Sequence, residues 1–174
     1  MFFNKFYVTL AGCGLTGIAS VIAGANSTLT DLGTYIDHLK LNLDLNGITA
    51  NVGTLDWFAP SSLAVPPANF DIIIGAECVY LESLVEPLVQ TIHYHLKPDG
   101  VCYLVSAKGR AGYLHFFHLM SQLGFVITTQ MLLPPNCKNS SFTFSEDLTV
   151  GWFCEGQFTS ELNDLILVRC SRNC

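Results

Sequence analysis

Charge is scarce in this sequence. Only 13% of its 174 residues are Asp, Glu, Lys or Arg, and eight basic residues face fourteen acids. With a net charge of −6 and an isoelectric point near 5.1, no basic stripe is available to release counterions from a nucleic-acid backbone, so charge-driven DNA or RNA binding is not expected. Paired cysteine motifs are also missing. Cys13, Cys78, Cys102, Cys137, Cys154, Cys170 and Cys174 are odd in number, contain no C-x-x-C, and lack the spacing of a zinc site or a disulfide framework. Cys78, Cys102 and Cys170 lie in or beside apolar strand-like runs, where a free thiol behaves as a small hydrophobe. A reducing compartment, cytoplasm or also nucleus, is the expectation. There is no internal repeat and no low-complexity tract. Half of the residues are hydrophobic and mean hydropathy is +0.41, which excludes a disordered or fibrous chain. The length suits one domain over 1–174 with a real core.

Residues 6–25 are uncharged, follow Lys5 and end in Ala23-Gly24-Ala25. Alone they read as a signal peptide spanning 1–25 of a secreted protein, with Asn26-Ser27-Thr28 as a glycosylation acceptor after the cut. A membrane span is the weaker variant, because glycines and threonines dilute a stretch barely long enough to cross. The internal order points elsewhere: a β-like run, then G-C-G-L-T-G, then a helix of small residues.

Downstream, strand-like and helical patterns alternate. Strands are expected at 6–10, at 27–30 ending on Asp31, and at 49–52, 70–75, 101–106, 125–133 and 165–170. Helices are expected at 16–25, 35–45, 81–96 and 113–123. The run FDIIIG at 70–75 has the continuous β-branched pattern of a strand buried on both faces. Lys97-Pro98-Asp99-Gly100 reads as a turn launching the next strand, and 134–162 as a polar insertion of little periodicity. This order is that of a Rossmann-like, doubly wound α/β fold, with ligand expected at the carboxyl ends of the central strands.

The glycines of G-x-G-x-x-G (Gly12, Gly14, Gly17) leave a strand and open a helix, and Asp31 ends the next strand nineteen positions after Gly12. Such glycines let backbone approach a ligand, and such an acid can accept both hydroxyls of a ribose. A nucleoside-containing cofactor follows, either a dinucleotide or an adenosyl sulfonium. Leu55-Asp56-Trp57 comes after the third strand, where an indole offers a π-face and a carboxylate an acceptor to adenine. Gly75-Ala76-Glu77-Cys78-Val79-Tyr80 follows the fourth strand and sets an acid and a tyrosine three apart. Plainer readings stay open: a tight turn for the glycines, a loop or N-cap acid for Asp31 and Glu77, core aromatics for Trp57 and Tyr80.

AGCGLTG (11–17), TLTDL (28–32), LDW (55–57) and FDIIIGAECVY (70–80), in this order and spacing, resemble the seven-β-strand S-adenosyl-L-methionine-dependent methyltransferases, and among them the methyltransferase-like protein-lysine group. The likeness covers about 8–130 and, more loosely, the closing strand. It implies a mostly parallel seven-stranded sheet with helices on both faces, cofactor-binding over 6–80 and substrate-facing over 81–174. It also implies that Gly12, Cys13 and Gly14 meet the methionine and ribose portion, Asp31 the ribose, Trp57 with Asp56 the adenine, and Ala76 the cofactor near its methyl. Glu77 and Tyr80 match the acid-x-x-Tyr motif beside the target side chain, with Glu in place of the commoner Asp. The Asn/Asp-Pro-Pro-aromatic motif of aminobase methyltransferases is absent, which argues against nucleic-acid methylation.

The reaction so implied is substitution at a sulfonium methyl with a neutral thioether leaving, and it calls for no metal. A lysine amine of pKa about 10.4 must first lose its proton, at a cost of roughly 4–5 kcal/mol at pH 7. Glu77 would raise that pKa, so its expected role is to bind and aim the incoming ammonium. Histidine or arginine targets stay open. Partners are then a protein substrate, with no nucleic acid and no membrane, and the chain is expected to be a monomer. Two departures mark an alternative, a shortened or noncatalytic binding form: Leu10 stands where the family has an acid, and few residues precede Gly12, where the family has a section that closes over the cofactor. The pairs His93/His95 and His115/His118 are expected on solvated helix faces, Phe116 and Phe117 in the core, and Asn139-Ser140-Ser141 in a surface loop.

Overall fold

The computed structural model describes residues 6–8, 12–107, 109–131 and 165–172, with backbone only at 6–8 and 131. Leu10, the 134–162 insertion with Asn139-Ser140-Ser141, and Cys137, Cys154 and Cys174 lie outside them. In chain order the elements are β1 (Phe6–Val8), α1 (Leu15–Ile22), β2 (Ser27–Asp31), α2 (Ile36–Leu45), β3 (Asn51–Thr54), β4 (Phe70–Ala76), α3 (Glu82–His95), β5 (Leu96–Ala107), α4 (Tyr113–Gln122), β6 (Phe125–Met131) and β7 (Leu165–Arg172). They form a seven-stranded sheet in the order β3-β2-β1-β4-β5-β7-β6. Its first five strands run parallel, and β7 lies antiparallel to both β5 and β6.

Successive side chains on a strand point to opposite faces, and β4 uses both. Ile73 joins the larger core with Leu88 and Ile92 of α3 and Phe116 and Met120 of α4. Ile74 packs on a second core made by Ile18 of α1, Leu29 of β2, and Leu39 and Leu43 of α2. The continuous apolar run at 70–75 therefore reflects a strand with helices on both sides. The third motif glycine serves the second core: a Cβ on Gly17 would lie 2.3 Å from Leu29 Cγ, and Leu29 is fully buried.

Within the uncharged stretch 6–25 the described residues form a strand at Phe6–Val8, a turn at Gly12 and Cys13 and the eight-residue helix Leu15–Ile22, with β1 between β2 and β4 at the sheet centre. No helix among the described residues is long and apolar enough to cross a membrane. Three expectations need correction. The third strand runs over Asn51–Thr54 and not 49–52, because Ile48 and Ala50 are drawn into the core around α2, and Gly53 makes room for Leu63. Lys97-Pro98-Asp99-Gly100 does not precede β5 but interrupts it: Leu96 already pairs with Phe70, and pairing resumes at Val101 with Ile72. Lys97 Nζ fastens this excursion to Asp71 Oδ1 at 2.6 Å.

The third correction is His95, which is fully buried. Its place on the inner side of α3 sets Nε2 2.9 Å from the Pro60 carbonyl oxygen, which can only accept, so Nε2 carries the proton. The ring stands edge-on to Tyr94 with centroids 4.9 Å apart. His93 on the same helix stays exposed beside Arg172. Burial lowers the pKa of His95, outweighing the bond to Pro60, and burial and Arg172 lower that of His93.

Two predictions follow from this packing. Gly17→Ala forces the Leu29 side chain out of its place, and equilibrium denaturation is expected to show a loss of about 1–3 kcal/mol. Because the unfolded chain takes up protons below pH 6.5 that His95 refuses in the fold, stability is expected to fall as pH drops from 6.5. Urea titrations at pH 7.5 and 5.5 should show this decline, and His95→Gln, which keeps an N–H for Pro60, should make it shallower, leaving the share that comes from His93. An equally steep decline in that variant would refute the assignment.

Candidate active site

The strand order reverses direction between β1 and β4, which opens a crevice beyond their carboxyl ends. The glycine loop enters this crevice from β1. Gly14 caps α1 in the left-handed region at φ 92°, and a Cβ there would lie 2.7 Å from Leu39 Cδ1, so only glycine makes the turn without strain. Gly12 and Cys13 are exposed, and a Cβ on Gly12 would project into open space.

Two side chains hold the loop. Gly12 N–H donates to Asp31 Oδ2 at 2.9 Å, and Leu32 N–H donates to Oδ1 at 2.8 Å. Asp31 is 5% exposed, so both bonds offset the cost of burying its carboxylate. From α2, Asn42 Nδ2 donates to the Cys13 carbonyl at 2.7 Å. This brace was not anticipated, and nothing in the L-N-L pattern around it distinguishes Asn42 from any other polar residue of an amphipathic helix.

Beyond β3, Asp56 is half-buried and caps its own turn, accepting from Phe58 N–H at 2.9 Å. Trp57 is buried at 7% exposure in the larger core, and its carbonyl accepts from Thr91 Oγ1 at 3.3 Å. The core reading of Trp57 thus describes the structure better than a free adenine platform. Phe58, its neighbour, is the aromatic that faces solvent, 69% exposed.

At the end of β4, Ala76 is exposed and Glu77 follows in the left-handed region at φ 54°, unusual for a side-chain-bearing residue. Its N–H donates to the Val105 carbonyl at 2.8 Å. Its Oε1 accepts from Ala107 N–H at 2.7 Å, and Oε2 accepts from Arg110 Nε at 3.0 Å, with Nη2 at 2.9 Å. Cys78 and Val79 are buried and Tyr80 is 40% exposed. The expected acid-x-x-Tyr residues therefore sit on the loop after β4, beside the glycine loop after its neighbour β1. Arg110 is a second functional candidate that the sequence did not reveal, because a lone arginine in a glycine-containing loop carries no partner information.

Behind Glu77 lies Tyr113, whose hydroxyl finds no hydrogen-bond partner among the described residues. Burial, then Cys170 and Glu77, push its pKa up. Burial pushes the Cys170 thiol up to about 12 and raises Cys102 well above the usual thiol range. Among the described residues no group of three His, Cys, Asp or Glu could hold a metal.

A doubly wound sheet of this order, with a glycine loop after the first strand and an acid ending the second, has the architecture of S-adenosyl-L-methionine-dependent methyltransferases. Solved structures agree. A TehB-like methyltransferase from Corynebacterium glutamicum matches with a TM-score of 0.67 and 17% identity, covering 99% of this chain and 82% of that one. The ribosomal protein L11 methylase of Lactobacillus delbrueckii subsp. bulgaricus matches with a TM-score of 0.63 and 17% identity, covering 100% and 72%. At such identities the likeness is one of fold. The chain belongs to the lysine methyltransferase family, whose model matches residues 10–123. It is 34% identical over 99 residues to mouse EEF1A lysine methyltransferase 3, covering 55% of this chain and 42% of that protein. It is 34% identical over 105 residues to Protein N-lysine methyltransferase METTL21A of Danio rerio, covering 58% and 47%. The chain thus spans about half the length of the curated relatives it matches.

S-adenosyl-L-methionine is the cofactor of this family, and the residues present suit it: an exposed backbone loop with open space over Gly12, and a carboxylate fixed at the end of β2. Of the described cysteines, Cys78, Cys102 and Cys170 are buried and Cys13 alone is exposed. Peptide mapping after brief iodoacetamide treatment should find Cys13 alkylated first among these four, and saturating S-adenosylhomocysteine should slow that reaction at least tenfold. Equal rates with and without it would show that Cys13 does not line the cofactor.

Proposed function

We propose that this chain transfers a methyl group from S-adenosyl-L-methionine to a lysine amine of a protein substrate. One observation supports this most: the glycine loop and the Glu77–Tyr80 loop leave adjacent parallel strands, β1 and β4, on either side of the crevice where strand order reverses. Gly12, Cys13, Gly14, Asp31, Asp56 and Ala76 would hold the cofactor, with any role of Trp57 confined to the little surface it exposes. Asp31 can serve ribose without releasing the loop, since a carboxylate offers about four acceptor sites and the backbone takes two here. When bound, the cofactor supplies an electrophilic methyl: the amine lone pair forms the N–C bond while the C–S bond breaks and its electrons stay on a neutral thioether. The chain's own contribution is positioning, which can supply several kcal/mol of the barrier. Glu77 and Tyr80 face the target side chain, and no metal is invoked. The chain is read as a monomer acting on protein in the cytoplasm or nucleus, independent of nucleic acid and membrane.

A noncatalytic binding role is the second reading, favoured by Glu77, whose two oxygens are already engaged by Ala107 and Arg110. Isothermal titration with S-adenosyl-L-methionine, followed by incubation with tritiated cofactor and a protein extract, separates the two. Binding is expected to weaken at least tenfold in Asp31→Asn, with label recovered in methyl-lysine for the unaltered chain. Binding without transfer would favour the noncatalytic role, and a folded chain that does not bind the cofactor would overturn the methyltransferase reading in favour of a scaffold.

A further inference from the structure

The proposed reaction needs a neutral amine, yet the acid at the reacting end of the sheet is a carboxylate, and a carboxylate holds an amine in its protonated, unreactive form. The loop between β5 and α4 answers this conflict. Arg110 directs Nε and Nη2 at Glu77 Oε2, 3.0 and 2.9 Å away, while Oε1 is held by Ala107 N–H. A guanidinium stays charged throughout the pH range in which an amine titrates, so the acid's charge is matched at every relevant pH. Resting on the lysine-methylation reading, we propose that Arg110 is a positioning residue that cancels the charge of Glu77, so that the target amine enters as the free base and donates an N–H to Glu77 instead of pairing with it as a cation.

The proton of the incoming ammonium then passes to bulk water before the N–C bond forms, and the lone pair is left free while one N–H is held. Other titratable groups face this pair. Tyr113 of α4 stays protonated under burial, and Tyr80 stands on the Glu77 loop. Glu82 of α3 lies 2.7 Å from His115 of α4 at a pocket of about 740 Å³ that Arg110 also lines. Among the described residues Arg110 is the cation in contact with Glu77. Glu77 and Arg110 side chains are 40% and 49% exposed, so an amine can reach the pair without displacing the protein around it.

The test uses butylamine as a stand-in for the lysine side chain, with binding followed through the Ala107 amide NMR signal. In the unaltered chain affinity is expected to rise about tenfold per pH unit from 7 to 9, following the free-base fraction of an amine with pKa near 10.4. In Arg110→Ala it should be stronger at pH 7 and flat over that range, because the cation now binds. Arg110→Lys, which restores the charge, should return the slope. A flat profile in the unaltered chain would overturn the proposal. Methylation gives an independent readout. Arg110→Ala should lose about tenfold in kcat at pH 7 while KM falls, recover at pH 9, and be restored by Arg110→Lys, which returns the charge. If Arg110→Ala is instead faster at pH 7, the arginine merely occupies the place of the substrate cation and the proposal is wrong. A chain that selects the free amine but transfers no methyl group would overturn the methyltransferase reading and leave the role of the pair standing.

Discussion

The bond from the Gly12 amide to the Asp31 carboxylate ties three strand ends together. Gly12 follows β1 in the chain, Asp31 ends β2, and the Asp31 carbonyl accepts Leu55 N–H at 2.9 Å just beyond β3. A carboxylate removed from water without partners would be strongly unfavourable, so the two amides it accepts are a condition of the fold and not an ornament. Once they are in place the glycine loop has one shape, α1 starts at Leu15, and Gly17 arrives against Leu29. The brace from Asn42 to Cys13 comes from the helix that follows β2. The surface offered to a cofactor is therefore largely backbone, set in position by Asn42, which the cofactor need not touch, and by Asp31, which keeps acceptor sites beyond the two amides it binds.

Much of this was legible because the pattern is local. A glycine triplet between a β-like run and a small-residue helix, an acid nineteen positions on, and a double-faced apolar strand at 70–75 each follow from geometry that neighbouring residues impose on one another. The doubly wound α/β class followed from the alternation of strands and helices, and the mostly parallel seven-stranded sheet was implied by the family resemblance that the motifs carry. What stayed hidden depends on chain that is distant in sequence. His95 is buried because Pro60, 35 residues away, supplies an acceptor for its ring. Arg110 meets Glu77 across 33 residues. Trp57 sits in the core because α3 covers it, contributing Thr91 to its carbonyl. The turn residues at 97–100 read correctly as irregular, but the sheet pairs on both sides of them and absorbs the irregularity.

The two acids of the site have different exposure and different duties. Asp31 is buried and its bonds shape the loop. Glu77 is part exposed, and its strained backbone costs about 1–3 kcal/mol. A charge-assisted bond such as that from Ala107 is worth about 1.5–3 kcal/mol and can offset this strain. The ion pair with Arg110, by contrast, is solvent-exposed, and such pairs contribute only about 0–1 kcal/mol once screening and side-chain entropy are counted.

These magnitudes separate the partners of Glu77 by what they do. Removing Arg110 would leave the carboxylate where it is, because Ala107 N–H still holds Oε1 and the Val105 carbonyl still accepts from the Glu77 backbone N–H. What would change is the field at the mouth of the crevice: a lone negative charge instead of a matched pair. That field is weak in open water and grows as a substrate and cofactor exclude solvent, since the effective dielectric falls as the site closes. A pair that adds little to the resting protein thus gains influence at the moment an amine must choose between keeping and losing its proton. In the same crevice a cationic sulfonium also disfavours a second positive charge. A site with the Glu77 charge cancelled lets that preference act, whereas an unpaired carboxylate would oppose it.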